Sequence, residues 1–281
     1  MKKLKSFELF LNEIIQVFQE AEKSNAKALY IGINYENSRY ELRGCINDAQ
    51  NLQNFFESEF NIKDFQMLTD HTEKKPTKSN ILEEIEHLLE TAQVGDHLII
   101  TYSGHGVQKP DYDDDEKDYL DECLFTLDQK RITDDTLYDL LRKHLKDGVS
   151  VFFLMDCCHS ASNVDLEYVL DLDGVSTSVH SEKSSIPNGK IISISGSADN
   201  NYSYETLING QIQGALSTQF VLRMLELQKN PLLSDKDSSK WTILLNKLYD
   251  NLTNKTYPQE PHLSSNKSIE EIPFSSIFKS L

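Results

Sequence analysis

Five short apolar runs recur along the chain with helical patterns between them, and this alternation constrains the fold more than any other feature. The runs begin at Ala28, Phe65, His97, Val149 and Lys190 and end by Asn34, Leu68, Tyr102, Met155 and Ser195. Helical spacing joins Ile81, Ile85, Leu88 and Leu89, and again Leu137, Leu140, Leu141 and Leu145; two more patterns lie near 214–228 and 240–253. Strands alternating with helices predict an α/β domain: a mostly parallel central sheet with helices on both faces. A strand such as Val151-Phe152-Phe153-Leu154-Met155, apolar throughout, suits burial on both sides. Phe7, Phe10, Leu11, Ile14, Ile15 and Phe18 predict a helix over 4–23. Segments 107–119, acidic, and 163–189, rich in Ser, Asp and Gly, lack periodicity and read as loops. The second marks a border between a larger N-terminal and a smaller C-terminal part.

Charge narrows the range of partners. The 281 residues include 28 basic and 45 acidic ones, a net charge of −17. Nucleic acid and anionic membrane surfaces both require clustered Lys and Arg, so neither is an expected partner. No apolar run approaches the roughly 20 residues that span a bilayer, and the opening Met1-Lys2-Lys3-Leu4 does not read as a secretory signal. Four cysteines, two adjacent, make no disulfide framework in a chain this long. The expectation is a cytoplasmic monomer in a reducing compartment.

Two strand ends carry chemistry. One reads Tyr102-Ser103-Gly104-His105-Gly106 and the other Asp156-Cys157-Cys158-His159-Ser160. Ligands of open α/β sheets bind at the carboxyl ends of strands, and strand side chains point the same way every second residue. If extended geometry persists past each strand, Ser103 shares a direction with His105, and Asp156 with Cys158. Neighbouring parallel strands then bring an imidazole and a thiol to one crevice, as nucleophile and base. The Gly106 and Cys158 amides are the candidate oxyanion donors. Cys157 and His159 fall one residue out of phase and should point elsewhere, and Cys123 reads as a small buried hydrophobe. The remaining histidines, 71, 87, 97, 144, 180 and 262, show no ligand-like spacing. No Gly-x-Ser-x-Gly elbow suggests a serine hydrolase.

These paired motifs resemble those of the metacaspases, caspase-fold cysteine peptidases. The spacing of a histidine about 50 residues before the cysteine is a general caspase property. Glu41-Leu42-Arg43-Gly44-Cys45-Ile46-Asn47-Asp48-Ala49 resembles the family's first-loop motif, and Pro76-Thr77 with Asn80-Ile81 its second-helix start. Gln259-Glu260-Pro261-His262-Leu263-Ser264-Ser265 resembles the end of its small subunit. The resemblance implies a caspase-like three-layer sandwich over 28–265. Within it lie a large-subunit-like part (28–162), a linker (163–189) and a small-subunit-like part (190–265), flanked by an N-terminal helical segment (1–27) and a C-terminal tail (266–281).

It further implies a cysteine endopeptidase with His105 as base and Cys158 as nucleophile, acting on proteins or peptides that carry Arg or Lys before the cut. The basic-residue pocket maps onto Cys45, Asp48, Ser103 and Asp156; caspases carry Gln where Asp156 stands. The family's calcium carboxylates map onto Asp121, Asp134, Asp135 and Asp165, so calcium is the implied cofactor. Asp111, Asp113, Asp115 and Glu122 mimic an EF-hand, but Glu116 occupies the required glycine position, so no EF-hand is read. The family's glycine after Cys-His-Ser is Ala161 here, which favours the rival reading of a catalytically silent caspase-fold scaffold. Self-cleavage, if it occurs, has Lys183 or Lys190 near the linker.

Overall fold

The structure is a computed structural model that describes residues 26–110, 120–157, 164, 166–179, 186, 188–197, 205–208, 210–229, 237–253 and 259–278. The helix expected over 4–23, Cys158, Ala161, Asp165, Lys183 and most of the acidic run lie outside the described residues, and Asp121 is described in its backbone alone.

The N-terminal elements are β1 (Ala26–Gly32), α1 (Cys45–Phe60), β2 (Asp64–Thr69), α2 (Lys78–Thr91) and β3 (His97–Ser103). A small antiparallel sheet follows, made of β4 (Gly106–Pro110), β5 (Leu120–Phe125) and β6 (Arg131–Thr133), then α3 (Asp134–His144) and β7 (Ser150–Asp156). Next come β8 (Tyr168–Leu170), β9 (Ser176–Ser178), β10 (Lys190–Ser197), β11 (Glu205–Ile208) and β12 (Gln211–Gly214). The last three are α4 (Ala215–Lys229), α5 (Ser239–Leu252) and β13 (Glu260–Ser265).

Among the described residues, eight strands form the main sheet in the order β2-β1-β3-β7-β10-β13-β8-β9. The first five run parallel; β13, β8 and β9 add antiparallel. Period-two alternation in the strands explains the three layers. Phe152, Leu154, Ile192 and Ile194 face one core, filled by Leu52 and Phe56 of α1, Phe220 of α4 and Trp241 and Leu244 of α5. Val151, Phe153, Met155 and Ile191 face the other, filled by Ile81, Ile85 and Leu89 of α2 and Leu137 and Leu141 of α3. The central strands β1, β3, β7 and β10 are apolar on both sides because helices cover both.

Thr77 starts α2 by accepting the Asn80 N–H (3.3 Å), and Thr133 starts α3 by accepting that of Thr136 (3.1 Å).

Three expectations change. The supposed loop at 163–189 contains the β8–β9 hairpin, turned by Asp171 accepting the Val175 N–H (2.8 Å) and by Gly174 at φ +84°. The supposed loop at 107–119 begins as a strand, since 107–110 belong to β4. Both escaped notice because three to five residues cannot display a period. The supposed tail is core through Phe278: Ile269, Ile272, Phe274, Ile277 and Phe278 are buried, and the Trp241 indole N–H donates to the Ile272 carbonyl (2.9 Å). Lys190 opens β10 with its N–H bonded to the Val149 carbonyl (3.0 Å), so cutting there would break the central sheet.

Candidate active site

The parallel strands end at one rim, with Gly32 beside Ser103 and Ser103 beside Asp156. Gly32 admits the next element: a Cβ there would overlap the Cys45 carbonyl oxygen and lie 2.9 Å from the Ala49 Cβ, so only glycine lets α1 start across the end of β1. That crossing carries Asp48 over the end of β3. Cys157, 1% exposed, packs with Met155 and Tyr102 on the opposite face from Asp156, as its phase requires.

His105 is placed differently from expectation. Extended geometry stops at Ser103; the chain bends at Gly104, where a Cβ would lie 2.7 Å from the Tyr102 hydroxyl and 2.9 Å from that of Tyr35. His105 is therefore oriented by its own contacts rather than by strand phase. Its N–H donates to the Tyr35 hydroxyl (3.0 Å), which in turn donates to the Phe125 carbonyl (2.5 Å). The Tyr102 hydroxyl lies 2.8 Å from the carbonyl oxygens of both His105 and Phe125. Burial pushes both phenols far above their ordinary pKa, so these hydroxyls stay protonated donors.

The imidazole rests against the ring of Tyr35 (4.9 Å between centroids), and its Nε2 lies 2.8 Å from the Tyr40 carbonyl oxygen. A carbonyl only accepts, so Nε2 carries the proton and Nδ1 is the unprotonated nitrogen of the neutral ring. The loop bearing Tyr40 is itself pinned: Asp70 accepts the Asn34 and Glu36 N–H groups (2.8 and 3.0 Å), and Leu42 donates to the Asn34 carbonyl (2.7 Å). Gly106 faces Leu124, and Phe125 N–H bonds to the His105 carbonyl (3.0 Å). In that register Gly106 is a non-hydrogen-bonded pair member, so its amide points away from β5.

Beside this rim two buried acids converge. Asp48 is 1% exposed and Asp156 3%. Asp48 accepts the Ser103 hydroxyl (2.7 Å) and the Gly214 N–H (2.7 Å), and Asp156 accepts the Ser217 N–H (2.8 Å). A Cβ on Gly214 would overlap an Asp156 carboxylate oxygen and lie 2.7 Å from one of Asp48. Two carboxylates thus converge on the start of α4, whose free amides and dipole favour negative charge. Burial raises the Asp156 pKa, opposed by its bond to the Ser217 N–H. Cys45, buried, opens α1 one turn before Asp48. Sequence reading gathered these four residues but missed Gly214 and Ser217, which lie in the C-terminal part within no motif.

The expected metal acids are described in part. Asp134 is buried at the start of α3 and accepts the Glu122 N–H (2.9 Å) and the Asp135 N–H (2.8 Å). The bond to Glu122 sets it beside the β5 backbone next to Asp121. Of the four acids only Asp134 and Asp135 have described side chains, and carboxylate oxygens are the donors that calcium takes. At the far end of the sheet, His144 lies between Glu86 (3.1 Å) and Glu90 (3.3 Å), tying α3 to α2, a grouping its sequence spacing had hidden.

Comparison with solved structures gives the fold class. Caspase-1 of Spodoptera frugiperda superposes over 87% of this chain and 86% of its own, with TM-score 0.51 and 12% identity. A protein of Geobacter sulfurreducens superposes over 86% and 93%, with TM-score 0.58 and 22% identity. The chain therefore has the caspase fold. Residues 26–167 match the metacaspase peptidase C14 domain. Metacaspase-1A of Aspergillus fumigatus is 32% identical over 296 residues, spanning 87% of this chain and 69% of the relative. Metacaspase-1 of Emericella nidulans is also 32% identical, spanning 87% and 71%. The chain belongs to the metacaspase family. No helix among the described residues is long and apolar enough to cross a membrane.

Proposed function

We propose that this metacaspase is a calcium-activated cysteine endopeptidase that cuts after Arg or Lys. The observation that carries the reading is the pair of buried carboxylates, Asp48 and Asp156, converging beside the strand rim. Such a pair favours a cationic side chain, which offsets their mutual repulsion. Cys45 and Ser103 complete the lining.

Cys158 supplies the thiolate. Its proton passes to His105 Nδ1, because Nε2 is engaged by the Tyr40 carbonyl. Attack on the scissile carbonyl forms a tetrahedral oxyanion, which the Gly106 and Cys158 amides hold. Collapse to the thioester expels the amine, which takes the proton from His105. Nδ1 then accepts a proton from water, whose attack releases the acid and the thiolate. Asp121, Asp134, Asp135 and Asp165 would hold calcium, which supplies neutralising charge for that acidic cluster.

One assay tests the reading. Arginyl and aspartyl reporters are compared with calcium and with chelator, using wild type, Cys158→Ala and Cys157→Ala. The expected outcome is calcium-dependent cleavage after Arg alone, abolished in Cys158→Ala and largely kept in Cys157→Ala. Efficient cleavage after Asp would overturn the specificity, chelator-insensitive activity the metal, and equal loss in both variants the nucleophile.

A further inference from the structure

We propose that Ser217 is a third group binding the cationic side chain, reached because Gly214 puts no Cβ against the two acids. The inference rests on the Arg/Lys reading above. Ser217 is 3% exposed and sits in the first turn of α4. Its N–H is bonded to Asp156, and its hydroxyl, near that carboxylate, makes no hydrogen bond of ordinary geometry and receives none from a described residue. A buried hydroxyl without a partner is costly and uncommon. Serine in a helix ordinarily bonds a carbonyl one turn back, and this one does not. The hydroxyl lies close enough to Asp156 to ease its ionisation.

The chemistry of the ligand explains the unmet acceptor. Arginine presents five N–H donors in a rigid plane. The two carboxylates already receive three protein donors, from Ser103, Gly214 and Ser217. A neutral hydroxyl acceptor beside them takes one further ligand N–H without adding a third negative charge. Gly214 matters for access: any side chain there would project onto both carboxylates.

Binding separates this role from a structural one. In Cys158→Ala protein with calcium, affinities are measured for a peptide ending in Arg and its citrulline twin, with and without Ser217→Ala. Ser217→Ala is expected to weaken the Arg peptide roughly tenfold to a hundredfold, as loss of a hydrogen bond to a charged group does. The citrulline twin is expected to change little. Because the hydroxyl does no more in the free protein than ease the ionisation of Asp156, Tm should change little. Unchanged affinity for Arg, in a parent that prefers Arg to citrulline, would overturn the role of Ser217 alone, as would a marked fall in Tm. A parent with no preference for Arg would overturn the specificity reading itself.

Discussion

At the scale of single residues, Asp156 links the acid pair to pH. Burial raises its pKa above the ordinary 3.8, so the folded chain holds that proton more tightly than the unfolded chain. Ionisation therefore weakens the fold as pH rises through the raised value, and this penalty is absent below the ordinary carboxylate range. Asp156→Asn is expected to raise Tm at neutral pH, with the gap to wild type closing as pH falls; an Asn side chain can still accept the Ser217 N–H. The same variant should lose affinity for arginyl peptides. Melting curves across acidic to neutral pH check the first claim, and a gap independent of pH would refute it. Asp156 was legible because it ends a long apolar strand, whose phase fixes its face. His105 was legible only in identity. Its orientation depends on Tyr35 and Tyr40, which come from a loop with no periodicity to read.

At the scale of elements, the junction of β12 with α4 organises the acid pair. Its backbone amides hold both acids, and the side chain of Asn47 in α1 reaches the Ile212 carbonyl (2.8 Å) to fix the junction against α1. Gly214→Ala would force the carboxylates apart. The expected result is a loss of about a hundredfold in kcat/KM for arginyl peptides, the scale of a displacement near 1 Å at a reacting centre. Circular dichroism should stay native, and activity equal to wild type would show that the junction tolerates a Cβ. Long elements announced themselves: α2 and α3 carry a clean period of 3.6, and the parallel strands stand out as apolar runs. Short ones did not: β8 pairs with the edge of β13, and β9 with β8.

At the scale of the whole molecule, the fold rests on two cores sharing one sheet. The one facing α1, α4 and α5 is closed by the C-terminal segment, where Phe278 meets Phe152 (5.0 Å between centroids) and Trp241 meets Phe274 (4.4 Å). Phe278→Ala is expected to cost about 3–5 kcal/mol, as for other buried aromatics. Urea denaturation measures this, and a cost below about 1 kcal/mol would mean that the segment contributes little. The three-layer architecture was legible from the pattern of strands and helices. This closure was not, because Ile269, Ile272, Phe274, Ile277 and Phe278 follow no single period and are joined by short 3-10 turns.

The anchoring of both acids by main-chain N–H groups of α4 has a consequence for protein engineering. Side chains can be exchanged, but the polarity of a helix start cannot. Retargeting the cleft toward acidic residues by placing lysine or arginine at 48 and 156 would set cations against the positive end of that helix. Such swaps yield an inert cleft rather than an inverted preference, and reversing the choice would require rebuilding the backbone around it.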